Sequence, residues 1–554
     1  MKQYFIFVVL PAVAIVIFTS WLVPNPSKDN IKEYISKAIA SDNDTIAEKE
    51  YKNLVRADVN NIENNRGYIS AHYSLPKRTG KNNTRDDSEI IGFYVILATG
   101  DNPEVADIGH YCLGVIKYYE NDYKGALEQY LKVRNQDMPF LNNSVGRCYL
   151  ELDDPEKAKS FFRREIEIGV NIEGPVVNLS GIFLRRHDTE QLNALMSNPK
   201  YAKYISIGTR RQLAFMEGDL TAYVGAILSS YREYTDINGV VAALLICLIW
   251  LLFIRRLDIF EPESFYCLFL TLVISAFFSE LSCLLYDFSH ITLGFTPGNS
   301  PLHQLAYCVF RIGLTEEFTK LVPVLIILFF TKQINESTDY IIYASVSALG
   351  FALMENIGYF DQTGFSRIAG RAFTATFFHM ALSSFAVYGL VYARYKKKSP
   401  FYFALSFFVA CAIHGLYDFL LIVKAPLDEF RPFAFFLMLF SIIFYVKIFR
   451  NVLNSSEFFT DAGRGLSFRN NAFLLVCGLS YVIVVQYLIM AFRFGPVFAG
   501  NRLVYTIAGS FVVVMVIHAQ FANIKLDKAS WLPIFKPAAK KKRKKTPEEL
   551  PPPA

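Results

Sequence analysis

Ionisable side chains recur inside stretches of this chain that are otherwise apolar. A charge at the middle of a bilayer costs roughly 2.5 to 3.5 kcal/mol on insertion scales, so acids and bases in such stretches are candidates for function. Four consecutive apolar stretches contain them. The candidates are Arg311, Glu316, Glu317, Lys320, Glu355, Asn356, His379, His414 and Asp418.

The spacing of these residues indicates a hydrolytic site. Glu316 and Lys320 are four residues apart, and residues at this spacing lie on one face of a helix. A buried carboxylate can take a proton from water and make it a nucleophile, while imidazoles protonate the leaving amine or stabilise the oxyanion. We therefore expect Glu316 or Glu317 to be the general base, with His379 and His414 as its partners.

The remaining candidates would support that chemistry. Asp418 is one helical turn from His414 and is expected to orient its ring. Glu355 and Asn356 would supply a second carboxylate and an amide donor. Adjacent glutamates point about 100° apart on a helix, so one would face the site and the other would pair with a basic side chain or a neighbouring helix. The basic side chains of the same stretch are Arg311 and Lys320.

Two other interpretations use the same residues. Two histidines with a glutamate form a known catalytic zinc ligand set, which would make Glu316, His379 and His414 metal ligands. The HExxH motif is absent, and no other cofactor is expected. The residues could also form interhelical ion pairs without chemistry, but their concentration in four adjacent stretches favours one common site.

The elements that must position these residues are transmembrane helices. Of 554 residues, 53% are hydrophobic and 19% are charged, which excludes a wholly soluble enzyme, a disordered protein and a collagen-like fibre. An apolar segment at 4–23 is expected to be an uncleaved anchor rather than a signal peptide. Nine further stretches could cross about 30 Å of hydrocarbon, which predicts about ten transmembrane helices. These nine lie near 237–254, 264–287, 302–330, 339–360, 371–393, 401–423, 431–449, 472–492 and 503–522.

The loops between the stretches predict orientation. Lys and Arg are concentrated in alternate loops, for example at Lys396 to Lys398, and the positive-inside rule assigns such loops to the cytoplasm. This places residues 25–236 outside the cytoplasm in a multi-pass protein of the cell (inner) membrane. Those residues contain 27 Lys and Arg against 31 Asp and Glu, so nucleic acid is not an expected partner. The cytoplasmic basic tail, Lys540 to Lys545, could bind anionic lipid headgroups of the bilayer.

Residues 25–236 show a helical pattern with an internal repeat of 32 residues. Gly114, Ala126 and Tyr130 recur as Gly146, Ala158 and Phe162. Small residues that let paired helices approach, with an aromatic residue filling the gap, resemble tetratricopeptide repeats (TPR). The region is therefore predicted to be an extracytoplasmic, TPR-like binding domain for a protein partner. One disulfide, between Cys112 and Cys148, could form there.

The ordered motifs of the membrane part resemble the PrsW family of polytopic membrane proteases, which is related to the CAAX prenyl-protein proteases and bacteriocin-processing membrane proteases. The motifs are Glu316-Glu317-x-x-Lys320, Gly350-Phe351-x-x-x-Glu355-Asn356, His379 and His414-Gly415-x-x-Asp418. The acidic segment from Arg255 to Glu263 is also similar to a loop of that family, with Ser264 where a second proline is common. The resemblance covers roughly residues 240–425. It implies an intramembrane endopeptidase that cuts membrane-anchored regulatory proteins, with the paired glutamates and the histidines as catalytic residues.

The predicted protein is thus an all-α, polytopic helical membrane protein with an N-terminal extracytoplasmic domain. Its expected parts are an anchor at 1–24, the TPR-like domain at 25–236, a PrsW-like protease core at 237–430, additional transmembrane helices at 431–524 and a cytoplasmic basic tail at 525–554. An intramembrane protease is the favoured function. A proton- or ion-coupled transporter is the alternative, since buried Glu, His and Lys also form proton relays, and a non-catalytic membrane receptor is a third. The sequence leaves the substrate, metal dependence, oligomeric state and activating signal open.

Overall fold

The computed structural model describes residues 4–74, 87–298, 300–361, 364–422, 427–460 and 468–531. Within these ranges the regular elements are all helices and no strand occurs, which confirms the all-α class. The basic tail at Lys540 to Lys545 lies outside the described residues.

The N-terminal apolar segment is a helix that packs on the C-terminal part of the chain. A short π-helical stretch, Phe5–Val9, leads into α1, Leu10–Leu22. Thr19 Oγ1 donates to the Tyr487 hydroxyl at 3.0 Å, and the hydroxyls of Tyr4 and Ser480 are 2.7 Å apart. These polar contacts tie α1 to the helix that contains residues 480 and 487.

The described residues between 25 and 236 form a succession of short helices, most of which begin at an Asn, Asp or Ser side chain that accepts a hydrogen bond from the first turn. Their bounds are Ile31–Ala40, Asp44–Ala57, Ile62–Ser74, Ser88–Ala98, Pro103–Tyr119, Tyr123–Tyr130, Leu141–Glu151, Pro155–Ile168, Glu173–Arg185, Thr189–Ser197, Pro199–Ala202, Ile207–Glu217 and Leu220–Tyr234.

The 32-residue repeat corresponds to two successive helix pairs. A Cβ at Gly114 would lie 2.4 Å from the Tyr130 ring, and one at Gly146 would lie 2.6 Å from the Phe162 ring. The aromatic side chain of each second helix therefore occupies the space left by the glycine of the first. Cys112 and Cys148 are buried free thiols, so the disulfide that could have joined them is not formed. Each packs as a small apolar side chain inside its helix pair.

The membrane part is a bundle of long apolar helices. They are α2 (Ile237–Leu257), α3 (Phe265–Asp287), α4 (Leu314–Phe330), α5 (Ser337–Tyr359), α6 (Ala375–Tyr395), α7 (Phe401–Ile422), α8 (Pro432–Asn454), α9 (Arg469–Phe494) and α10 (Pro496–Ala522).

Eight helices in the described part of the chain are long and apolar enough to cross a membrane. The helix that contains α4 begins at Pro301 and passes through a π-helical stretch, Cys308–Gly313. It is not among the eight, and neither is α1, whose apolar segment Ile6–Leu22 is short. The expected count of about ten rests on these two helices and stays a prediction.

Helix α5 is the centre of the bundle and packs against α2, α3, α4, α6 and α8. A Cβ at Gly350 would lie 2.4 Å from the Leu272 carbonyl oxygen of α3, so this position requires glycine for close packing. Ala344 and Ala348 are fully buried as well. Gly358 has open space beside it, because α5 leaves the packed interior near its C-terminal end.

Candidate active site

The candidate site is built where the residues just before α4 pack closely against the middle of α7. A Cβ at Gly415 would lie 2.3 Å from Val309 Cα, and one at Gly313 would lie 2.3 Å from the Cys411 carbonyl oxygen. Both contacts are to backbone, so side chains at these positions would force the helices apart. The π-helical stretch before α4 supplies one surface of this contact, and π turns often occur at functional sites. The approach brings the two glutamates of α4 beside His414.

Glu317 lies at the centre of a buried network. Its Oε1 atom accepts hydrogen bonds from Lys320 Nζ at 2.8 Å and from His414 Nδ1 at 2.8 Å. Its Oε2 atom accepts a hydrogen bond from the Ser383 hydroxyl at 3.0 Å. Both carboxylate oxygens are therefore engaged, and Glu317 and Lys320 are 1% and 0% exposed. Such a pair offsets the loss of hydration of two buried charges.

Glu316 also faces the site, but one of its oxygens is free. Its Oε1 atom accepts a hydrogen bond from the Tyr286 hydroxyl at 2.9 Å, whereas Oε2 is buried and has no hydrogen-bond partner. Oε2 lies 3.5 Å from His414 Nε2 and 3.5 Å from Lys320 Nζ. Glu317 therefore makes the expected pair with a basic side chain, Lys320, and both glutamates also face the His414 ring.

His379 is held between two charged partners on other helices. Lys320 Nζ is 2.8 Å from His379 Nδ1, which must accept, so Nε2 carries the proton and donates to Glu355 Oε2 at 2.9 Å. Arg371 donates to the same Glu355 oxygen at 2.5 Å. These contacts hold the neutral ring in one tautomer and one orientation.

Three sequence candidates lie near the centre with roles that differ from those expected. Asp418 Oδ2 is 3.6 Å from His414 Nε2, so the hydrogen bond that orients the ring comes from Glu317 instead. Asn356 accepts from Arg371 Nε and donates to the Thr376 hydroxyl at 3.2 Å, so its amide positions Arg371 rather than facing the reaction centre. Arg311 contacts no carboxylate in the described structure.

Arg311 instead contacts Tyr286, a site residue that no sequence motif indicated. The Arg311 guanidinium lies 4.9 Å from the Tyr286 ring centre and donates to the Tyr286 carbonyl oxygen at 3.4 Å. Tyr286 in turn donates to Glu316. No signal in the sequence pointed to Tyr286, since tyrosine is common at the ends of transmembrane helices.

The neighbour of Tyr286 links the site to the N-terminal helical domain at 25–236, which is called the outer domain after the orientation expected from the sequence. Asp287 is fully buried, and its carboxylate accepts from Arg211 Nε at 2.7 Å, from Gln212 at 3.1 Å and from the Tyr223 hydroxyl at 3.0 Å. These three donors belong to Ile207–Glu217 and Leu220–Tyr234. The outer domain therefore contacts the end of α3 one residue from the tyrosine that holds Glu316.

The acidic segment that follows α2 lies away from this site. Asp258 and Glu263 are buried beside Asp339, at the N-terminal end of α5, whereas Glu355 of the candidate site is near its C-terminal end. Burial raises the pKa of Asp258 to about 7 and the pKa of Glu336, just before α5, to about 8, because a charged carboxylate loses hydration there.

The proposed zinc ligands fit the geometry in part. Glu316, His379 and His414 are buried and each offers one donor atom within 4.8 Å of the other two. The unpartnered Oε2 atom of Glu316 is the kind of free donor that a metal needs. His379, however, contacts Lys320 through Nδ1 and Glu355 through Nε2, so it would exchange one of these contacts on binding a metal.

The fold and the site together define a class: a multi-pass helical membrane protein with a buried cluster of carboxylates, histidines and one lysine. Residues 263–446 match the profile of the family described as PrsW family intramembrane metalloprotease. The resemblance seen in the sequence motifs is thereby confirmed, and the chain carries a PrsW-family domain over these residues.

Three curated relatives agree with this assignment. Protease PrsW of Geobacillus kaustophilus is 32% identical over 115 residues, which cover 20% of this chain and 50% of the relative. Protease PrsW of Oceanobacillus iheyensis is 29% identical over 158 residues, covering 27% of this chain and 66% of the relative. Protease PrsW of Halalkalibacterium halodurans is 30% identical over 134 residues, which cover 23% of this chain and 60% of the relative.

The matched part of the chain thus spans between one half and two thirds of these relatives. The family profile likewise ends at residue 446 and begins at residue 263, so the outer domain, α9 and α10 lie beyond it. No solved structure shows a significant match to the chain.

Proposed function

We propose that the chain is an intramembrane endopeptidase that hydrolyses a peptide bond of a membrane-anchored regulatory protein, with Glu316 as general base. The observation that carries this proposal is the free Oε2 atom of Glu316, which is buried and 3.5 Å from His414 Nε2. One water molecule can contact both atoms at hydrogen-bond distance. The relatives named Protease PrsW support the same reaction class.

In the proposed reaction, Glu316 takes a proton from that water, and the oxygen attacks the scissile carbonyl carbon. The oxyanion that forms is stabilised by the ammonium of Lys320 and by a protonated His414. The C–N bond then breaks, and the leaving amine receives the proton that water lost. The new carboxyl group gives its remaining proton to the amine, so water is consumed and the products are a carboxylate and an ammonium group.

The other site residues hold these groups in place. Glu317 accepts from both Lys320 and His414, so it fixes the ring and balances the lysine charge. Glu355 orients His379, and the Nδ1 atom of that ring accepts from Lys320 and so holds the ammonium in place. Asp418 Oδ2, at 3.6 Å from His414 Nε2, places a further carboxylate beside that ring nitrogen.

A zinc ion bound by Glu316, His379 and His414 would act as a Lewis acid and make the water more acidic. The roles of Glu317, Glu355 and Tyr286 are unchanged in that case, because these residues position the ligands from outside the set.

An apolar cavity near the site can receive the anchoring segment of a substrate. It has a volume of about 640 Å³ and lies between α6, α7 and α8. Leu382 and Ile413, which line it, are close in sequence to His379 and His414. A substrate helix held there would have its end near the reactive groups, and its apolar surface would match the lining.

We further propose the arrangement expected from the sequence: about ten spans, a TPR-like outer domain that binds a protein partner, and a basic tail in the cytoplasm. The two helix pairs built on Gly114 and Gly146 support the TPR-like interpretation. The contacts of α1 with Ser480 and Tyr487 support an anchor that stays in the bundle.

The test uses the purified full chain, reconstituted with a single-span membrane protein as substrate. Wild type should cleave it, Glu316→Gln should not, and the exposed-site control Glu104→Gln should cleave at the wild-type rate. A zinc chelator and its non-chelating isomer, followed by added Zn²⁺, separate metal-assisted from metal-free hydrolysis. Proton flux into liposomes that depends on Glu316, without cleavage of any substrate, would identify a transporter and refute the proposal.

A further inference from the structure

Three buried carboxylates meet at the end of the bundle opposite to the candidate active site. Asp258 follows the last residue of α2, Glu263 precedes α3, and Asp339 lies in the first turn of α5. Asp339 and Glu355 are sixteen residues apart on α5, which corresponds to about 24 Å along a helix. The cluster is therefore separate from the groups around Glu316.

The three side chains are close together and lack a basic partner. Asp258, Glu263 and Asp339 are 2%, 6% and 0% exposed. Each offers one oxygen within 4.8 Å of the oxygens of the other two. No ion pair to Lys, Arg or His involves them in the described parts of the chain, and Arg255 donates to the Glu263 carbonyl oxygen instead. Like charges this close repel one another strongly away from water.

The surrounding backbone fixes two of these carboxylates and leaves one oxygen of each without a partner. Asp339 Oδ2 accepts from the amides of Asn335 at 2.7 Å and Glu336 at 2.8 Å, while Oδ1 has no partner. Asp258 Oδ1 accepts from the Glu261 amide at 3.4 Å, while Oδ2 has no partner. Buried polar atoms are rarely left unpaired, so these two oxygens are available to a ligand.

We propose that Asp258, Glu263 and Asp339 bind a hard divalent cation, Ca²⁺ or Mg²⁺. Carboxylate oxygens are the ligands that both ions prefer, and opposite oxygens around Ca²⁺ are about 4.6 to 5.2 Å apart. Tyr343 donates to Glu263 Oε2 at 2.6 Å and orients that carboxylate. The bound ion would join the α2–α3 connection to the start of α5, the helix that carries Glu355.

The first test measures the thermal unfolding midpoint of the full chain in detergent with EDTA, Ca²⁺ or Mg²⁺. A ligand that binds only the folded state raises the midpoint, so we expect an increase of several degrees at millimolar concentrations of the preferred ion. The Asp258→Asn, Glu263→Gln, Asp339→Asn triple variant should lose this response. In EDTA its midpoint should equal or exceed that of wild type, because the variant removes the repulsion between the carboxylates.

Two controls keep the result specific. The Glu316→Gln, His414→Asn variant should retain the full cation response, since its changes lie in the other cluster. Terbium, which replaces Ca²⁺, should show tyrosine-sensitised luminescence that Tyr343→Phe reduces, even if the triple variant fails to fold. A midpoint unaffected by either cation, or a cation response that persists in the triple variant, would overturn the proposal. If neither cation changes the midpoint but the midpoint rises as the pH falls, the carboxylates hold protons rather than a cation.

Discussion

Glu316 and Glu317 are adjacent in sequence but have different surroundings. Glu317 accepts hydrogen bonds from Lys320, His414 and Ser383, so its charge is part of what stabilises the fold. Glu316 has one bonded oxygen and one free oxygen, so its charge is available for reaction. The same residue type is thus fully hydrogen-bonded at one position and has a free oxygen for the proposed chemistry at the next.

This difference predicts opposite behaviour for two conservative substitutions. Glu316→Gln should lower kcat by about 10² to 10⁴, the usual contribution of a general base, with little change in the unfolding midpoint. Glu317→Gln should destabilise the protein by about 3 to 5 kcal/mol, because it leaves Lys320 as a buried charge without its closest partner. Cleavage kinetics and thermal unfolding of both purified variants measure these effects. Equal stability losses in the two variants would contradict the assignment.

At the scale of elements, the site depends on how closely α4 and α7 approach. Gly313 and Gly415 face the backbone of the opposite helix, and this contact places Glu317 within hydrogen-bond distance of His414. The glycine of the His414-Gly415 motif therefore has a packing role.

Gly415→Ala should abolish cleavage without preventing membrane insertion, because the new Cβ would meet Val309 backbone atoms at 2.3 to 2.5 Å and push the helices apart. Gly358→Ala is the matched control, since nothing lies within 4 Å of the added Cβ, and it should retain wild-type activity. Activity assays at equal membrane protein levels measure the difference. Wild-type cleavage by Gly415→Ala would show that this approach is not needed.

At the scale of the whole molecule, the outer domain is connected to the site through Asp287 and Tyr286. Arg211 is the charged partner of Asp287, and Tyr286 holds Glu316. The helix pairs of the 32-residue repeat lie elsewhere in the outer domain, and the donors to Asp287 come from its last two helices.

Arg211→Met should lower kcat by about 10- to 100-fold through displacement of Tyr286, with the KM of a short peptide unchanged, because small shifts in reacting geometry have effects of this size. Arg186→Met, which removes an exposed pair with Glu156, should be neutral since such pairs contribute about 0 to 1 kcal/mol. A raised KM with normal kcat would mean that Arg211 affects substrate binding instead.

Orientation in the membrane is also a property of the whole molecule. We expect a single cysteine at Lys132 to react with an impermeant thiol reagent in intact cells, and one at Lys398 to react only after permeabilisation, since basic loops stay in the cytoplasm. Labelling in a background without other cysteines tests this. If the cysteine at position 398 reacted in intact cells before the cysteine at position 132, the orientation would be the opposite of the one expected.

The sequence by itself determined the helical class, the membrane location and most residues of the candidate site. Charged residues in apolar stretches are exceptional because of their insertion cost, so Glu316, His379 and His414 were visible without a structure. Spacing of four residues also placed Lys320 and Asp418 on the correct helix faces. These properties belong to single helices, whose periodicity can be read from the chain.

Only the tertiary structure decided which groups meet and in what state. The free oxygen of Glu316, the tautomer of His379 and the contact between Tyr286 and Glu316 depend on side chains from different helices. So does the three-carboxylate cluster, whose members are separated by up to 81 positions between Asp258 and Asp339. Periodicity constrains one helix at a time, whereas these features arise from how helices pack against each other.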